Sequence, residues 1–364
     1  MEKRMLALGL TVILIVGVMG VVGVSVYQLW QTNQMGVVTG LIGSEKADFF
    51  RDPQVIELLA KKYQLEVKAQ SVGSRTIVDQ VQQGKYDFAF PAGAPSAERI
   101  IAATGKKQTY NVFFTPMAVA SWQDIAQMLA DNGLAKKQAN YYTLDLKGLL
   151  DIILIDKGKR WNELKNNTTY PVNKSILIAS TDVRSSNSAA MYLALASFVV
   201  NDNNIIQSSD ILKVVDPMAN LFLKQGFVEG TSALPFDNYL VMGKGQAPLV
   251  MIYESQFIEA AAKGNLRPEM VLMYPEPTIF TRHILIALTE AGDKLGQALM
   301  NDPDLQKLAV EYGLRNNNVT YFREFKQAHK INVADDLVNV VEPPRYEVLE
   351  DLIKQIEQKY TGGN

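Results

Sequence analysis

Nine consecutive residues, Ser180-Thr181-Asp182-Val183-Arg184-Ser185-Ser186-Asn187-Ser188, bring hydroxyls, an amide and both charges to the start of an apolar run. Hydroxyl and amide donors at a helix N-terminus lie where the helix dipole is positive, which suits an oxyanion or a carboxylate. Arg184 would add a planar fork able to grip such a group through two parallel bonds. The plainer reading is a helix cap from Ser186 or Asn187, with Asp182 and Arg184 as a surface ion pair. One cap needs one residue, and this loop offers several.

Two other loops have suitable chemistry. In Gly43-Ser44-Glu45-Lys46, Gly43 permits tight backbone geometry, Ser44 offers a hydroxyl, and Lys46 adds a positive charge that Glu45 opposes. Its alternative is a solvated turn capping a short helix. In Pro91-Ala92-Gly93-Ala94-Pro95-Ser96-Ala97, Gly93 lets backbone approach a ligand closely, and Ser96 is placed to cap a helix beginning at Ala97. The alternative is an ordinary strand-to-helix connector. Tyr253 follows an apolar run and is a candidate pocket wall, and Glu254 reads as a hinge residue or the acceptor of a cation. Ser74 in Gly73-Ser74-Arg75 reads as a helix cap, and His283, inside an apolar run, as a core histidine.

Composition removes other chemistries. There is no cysteine, so disulfides, thiolate metal ligands and cysteine nucleophiles are excluded. The two histidines, His283 and His329, are far apart, which argues against a histidine metal centre, and no metal or cofactor is expected. No nucleophile elbow, zinc-protease helix motif or phosphate loop is present, so catalysis is not expected. Basic side chains, 36 in all, nearly balance 38 acidic ones, so no basic surplus points to a nucleic-acid partner.

The elements that must carry these loops read as α/β. Val37–Ile42 is β-rich, Asp52-Pro53 opens a helix, and Leu65–Ala69 alternates as a strand. Ser74–Val81 reads as a helix ended by Gly84, and Tyr86–Phe90 as a buried strand; this order predicts a parallel sheet. Asn111–Ser121 is a long strand with Pro116 in its middle, which suits an edge or a crossover. Asp145–Lys165 reads as a helix, Ser175–Ala179 as a strand, and Ala189–Val200 as an apolar helix. Leu249–Tyr253, Val271–Tyr274 and His283–Leu288 are further strands. Gln256–Lys263, Asp302–Tyr312 and Tyr346–Lys359 are further helices.

No charged residue occurs from Met5 to Tyr27, and the next charge is Glu45. Met5–Val26 as a helix would span roughly 33 Å, enough for a hydrocarbon core of about 30 Å. Lys3 and Arg4 precede it, which predicts an inside N-terminus. The expected organisation is a cytoplasmic tail over 1–4, a transmembrane anchor over 5–27, a linker over 28–36 and an extracytoplasmic remainder. A cleaved signal peptide, cut near Gly23-Val24-Ser25, is the alternative; its apolar core would be longer than usual.

Three segments carry a family likeness: VVTGLIGSEKADFF followed by a helix, APLVMIYESQFIEAA, and VLMYPEPTIFTRHILIAL followed by NDPDLQKLAVEYGLR. Through them, 37–315 resembles the type II periplasmic solute-binding proteins, nearest to the molybdate- and sulfate-type receptors. The resemblance implies a two-lobed α/β fold with lobe one over 37–115 and 254–315, lobe two over 116–253, and crossings near Asn111–Ser121 and Leu249–Glu254. It implies capture of a small polar or anionic solute between the lobes, for a transporter permease or a sensor. The chain departs from the pattern by lacking a lipidated cysteine and by its extension over 316–364. An anchored scaffold that presents this extension to another membrane protein is therefore the competing function.

Overall fold

The computed structural model describes residues 35–155, 158–225 and 233–361. The anchor expected over 5–27 lies outside them. Among the described residues no helix is long and apolar enough to cross a membrane.

The chain opens with three parallel strands, β1 (Gly36–Ile42), β2 (Leu65–Ser71) and β3 (Phe88–Phe90), in the order β2-β1-β3. The Pro53–Tyr63 helix between β1 and β2 begins as expected: the Asp52 carboxylate accepts from the Gln54 amide at 2.7 Å, and Pro53 occupies the first turn. β4 (Thr109–Trp122) then runs fourteen residues and belongs to two sheets. Its first part pairs antiparallel with β9 (Thr278–Ala287), ending at Pro116 opposite Phe280. Its second part, from Met117, pairs with β7 (Val250–Tyr253) and β8 (Met270–Glu276). Pro116 sits where the partners change, a place where its missing N–H disrupts the ladder least. A second sheet continues from β8 to β6 (Tyr142–Asp145) and β5 (Ala135–Lys137).

β8 and β9 follow one another along β4, so two adjacent antiparallel tracks of chain connect the sheets. The return passage therefore falls between Glu276 and Thr278 and not at Leu249–Glu254: β7 pairs with the second-sheet part of β4, and β8 still follows it there.

Side-chain alternation divides the core of the first half between the two faces of its sheet. Val38, Ile42, Phe88, Phe90 and Leu285 point to one cluster, and Leu41, Ala89 and Ile286 to the other. The second half is built around the Asn187–Val200 helix, which is apolar on every side and almost wholly buried.

The C-terminal extension packs onto this body. Val319–Ala328 forms a helix against Pro303–Glu311, and β10 (Val340–Val341) pairs with the start of β9. The Tyr346–Thr361 helix places Leu349, Leu352, Ile353 and Ile356 in the core of the second half, against the Ile211–Leu223 helix. It also touches the Ala94–Thr104 helix of the first half. One helix thus spans both halves.

Three local expectations change. The helix expected over Asp145–Lys165 ends at Leu154; beyond it Gly158 adopts a positive φ of 60° and Trp161–Glu163 form a separate 3-10 turn. Ser175–Ala179 forms no continuous ladder and touches β7 only through a bridge between Ala179 and Val250. Ser74 does not cap the following helix, which runs Ile77–Gln83. Its hydroxyl instead accepts from the Ala92 amide at 3.0 Å.

Candidate functional site

Several sequence-nominated residues meet where the two halves touch. β1 ends as the Gly43 amide donates to the Phe90 carbonyl at 3.2 Å, and Ser44–Lys46 turn through one 3-10 coil. A Cβ on Gly43 would lie 2.5 Å from the Glu45 carboxylate and 2.8 Å from the Ser74 hydroxyl, so any larger residue there would displace these two side chains. Lys46 is fully buried, bonded to Glu45 and lying 4.8 Å above the Phe90 ring. Burial lowers its pKa, and the Glu45 charge only partly restores it. The Lys46 ammonium stands 3.2 Å from Nδ1 of His283.

Burial, then the Lys46 charge, holds the His283 pKa well below its usual value, so the ring is neutral. With Nδ1 facing an ammonium, its proton is assigned to Nε2, a buried atom that has no hydrogen-bond partner among the described residues. The core-histidine reading thus holds for burial but not for satisfaction.

Asn187 clasps the two halves. Its amide donates to the Tyr253 hydroxyl at 3.1 Å, and its Oδ1 lies 3.4 Å from the donating Ser96 hydroxyl. Gly93 faces it with φ +91°, and a Cβ there would stand 2.5 Å from that same oxygen. Ser96 is therefore not the cap of a helix from Ala97; the helix starts at Ala94 and Ser96 lies inside it. The Tyr253 pKa is pushed well up, by burial first and by the Glu45 charge second. Gly43, Glu45, Lys46, Gly93, Asn187 and Tyr253 thus come together.

The rest of the serine-rich loop is engaged elsewhere. Ser188 bonds to both Thr181 and Ser186, at 3.1 and 3.0 Å, so these hydroxyls satisfy one another. Arg184 forks onto Asp182 at 2.5–3.0 Å, and its guanidinium lies 3.7 Å from Glu357 of the C-terminal helix. Burial alone would raise the Asp182 pKa, but the Arg184 bonds outweigh it and hold the carboxyl below its usual range. The Ser185 carbonyl packs against Gly73, where a Cβ would stand 2.9 Å away. Arg75 donates to the Arg184 carbonyl at 3.1 Å and grips Glu350 at 2.7 and 2.8 Å. This loop is a docking seat for the C-terminal helix.

Beside the junction a groove of 330 Å³ opens between the halves. Ser44, Glu45 and Asp48 line it from the first half; Phe236 and Asp237 on the Ala233–Met242 helix, and Gln256, Glu259 and Lys263, line it from the second. Lys263 bridges the halves, 2.8 Å from Asp48 and 2.6 Å from Glu259. The Lys263 bond lowers the Asp48 pKa, while burial raises those of Glu259 and Asp237. Four carboxylates and one lysine thus stand among the described residues that line the groove. Sequence reading missed Asp48, Asp237, Glu259 and Lys263, because a helical pair such as Glu259–Lys263 has the spacing of an ordinary surface ion pair. Among the described residues no group of three or more His, Cys, Asp or Glu is arranged to hold a metal.

Glu254 is fixed in place. Arg315 meets its two oxygens at 2.7 Å each, Tyr274 donates to it, and Arg315 also bonds the carbonyls of Ala334 and Asp335 at 2.6 and 2.7 Å. The Phe322 ring lies 3.9 Å from the guanidinium. This clasp ties the first turn after β7 to the C-terminal extension.

No family model matches the sequence, and no curated protein matches it. Solved structures do. The sulfate-binding protein of Mycobacterium tuberculosis shares 15% identity at a TM-score of 0.53, over 84% of this chain and 93% of that one. A periplasmic thiamin-binding protein shares 13% at 0.58, over 88% and 95%. A transporter solute-binding protein from Thermotoga lettingae, solved with α-D-tagatose, shares 14% at 0.56, over 90% and 95%. The chain therefore has the fold of the type II periplasmic solute-binding proteins, as the sequence likeness implied. At these identities the likeness establishes the fold alone.

Proposed function

We propose that this protein is an extracytoplasmic receptor, tethered by 5–27, that takes a small polar solute into the groove between its halves. It passes that solute, or the signal of its occupancy, to a transporter permease or another membrane protein. The supporting observation is a groove lined from both sides of the ribbon that β4 forms with β8 and β9. A ligand touching both walls stabilises the closed arrangement over the open one, and differential contact is all that closure requires.

The charge of the walls changes the expected ligand class. A small polar or anionic solute was expected, with Lys46 and Arg184 as the groups for an anion, but Glu45 and Asp182 already hold those cations. Three of the groove's carboxylates are also held, Glu45 by Lys46 and Asp48 and Glu259 by Lys263, but with Asp237 the walls keep an excess of negative charge. That excess favours a solute whose ammonium takes the place of Lys263 on Asp48 and Glu259, with Phe236 as an apolar wall. The competing scaffold reading is weakened because the Tyr346–Thr361 helix already uses its apolar face on its own body.

Thermal shift of the full chain in detergent, screened with amino acids, polyamines, sugars and oxyanions, tests the reading. Amine-bearing solutes should stabilise it, and Asp48→Asn combined with Glu259→Gln should remove that effect. A chain that no class stabilises would end the receptor proposal.

A further inference from the structure

A second cavity, of 290 Å³, lies wholly within the second half. The Ala233–Met242 helix separates it from the groove: Ala233, Phe236, Asp237 and Leu240 face the groove, while Pro235 and Asn238, on the opposite side of the helix, face the cavity. Its electrostatics are also opposite. Among the described residues Lys174 and Lys224 line it and no carboxylate does. Lys174 donates to the Gly245 carbonyl at 3.2 Å and Lys224 to the Ile153 carbonyl at 2.8 Å, and neither has a carboxylate partner among the described residues.

Trp161 and Tyr170 supply an aromatic wall, packed edge to face with centroids 5.3 Å apart. Ser180 also lines the cavity. It is buried, its amide donates to Gln225 at 2.8 Å, and among the described residues its hydroxyl has no hydrogen-bond partner. A buried hydroxyl left unpaired is costly, and a group that pairs with it recovers that loss.

We propose that this cavity is a second binding site, for a small organic anion with a flat apolar body. Lys174 and Lys224 neutralise the carboxylate or phosphate, Ser180 donates to it, and the body lies along Trp161 and Tyr170. The volume is at the lower end of the range for small-molecule sites, which restricts the occupant to about one ring with its acidic group. The site is independent of the groove and of the solute proposed there.

The test is isothermal titration of the full chain in detergent with phenyl phosphate and benzoate, using inorganic phosphate as the probe without an apolar body. Phenyl phosphate or benzoate should bind more tightly than inorganic phosphate. Lys174→Met with Lys224→Met should weaken binding by roughly tenfold or more, and Ser180→Ala by a smaller factor. Lys224→Arg should retain most of the affinity. Asp48→Asn with Glu259→Gln should leave it unchanged, which separates this site from the groove. The proposal fails if neither aromatic anion binds the folded chain at millimolar concentration. It also fails if binding survives loss of both lysines, or if inorganic phosphate binds as well as its phenyl ester.

Discussion

Among the described residues two ion pairs are buried at the joints between parts of the molecule, and they are built differently. At the Glu254–Arg315 clasp each carboxylate oxygen is matched, and the guanidinium also meets two carbonyls and a ring. At the Glu45–Lys46 pair the ammonium has one carboxylate and one imidazole, and the far nitrogen of that imidazole has no partner. A fully satisfied network fixes a geometry, while a partly satisfied one leaves charge available to a competing partner. The clasp is therefore a fixed joint, and the Glu45–Lys46 pair, whose carboxylate lines the groove, is the less completely satisfied of the two.

Breaking each pair sharpens that contrast. Arg315→Met, which leaves the Glu254 carboxylate buried and alone, should cost about 3–5 kcal/mol in denaturant unfolding. Lys46→Met should cost less, because Glu45 can turn to the groove and water. The double change Glu45→Gln with Lys46→Met should be close to neutral, and a large loss there would erase the distinction.

His283 gives a third test. Its folded pKa lies well below the ordinary value near 6.5, so below that pH the unfolded chain takes up a proton that the folded chain refuses. The stability His283 contributes is complete above about pH 6.5 and is lost as pH falls toward its folded pKa, with a slope approaching about 1.4 kcal/mol per pH unit. Denaturant unfolding at stepped pH should show this slope in the wild type, and His283→Asn should flatten it. The smallest effect belongs to Arg184→Ala. Its ion pair with Asp182 is partly exposed, so the loss should be about 0–1 kcal/mol with no change in solute binding at the groove.

Local signals made much of the fold legible. The Asp52-Pro53 start, the Gly84 stop, the long strand through Pro116 and the apolar Ala189–Val200 run each became what their residues dictate. Ser74 and Ser96 did not act as caps, because partners distant in sequence, Ala92 and Asn187, hold their hydroxyls. The candidate site was legible only in part: of the residues nominated from the sequence, Ser44 and Glu45 line the groove, while Asp48, Asp237, Glu259 and Lys263 were missed. Strand ends placed Gly43, Glu45, Lys46, Gly93 and Tyr253 together, since such ends converge in an open α/β sheet. The partner of Arg75 and the neighbour of Arg184 lie in the last helix, 275 and 173 residues further along the chain, beyond the reach of any local rule.

The groove between the two halves is proposed to hold a solute by its positive charge. Native mass spectrometry of the full chain, purified gently from its source cells, tests it most directly. The expected result is a single small amine-bearing molecule bound to the wild type and missing when Asp48→Asn and Glu259→Gln are combined. A wild-type chain that carries nothing, or a variant that keeps the same passenger, would contradict it.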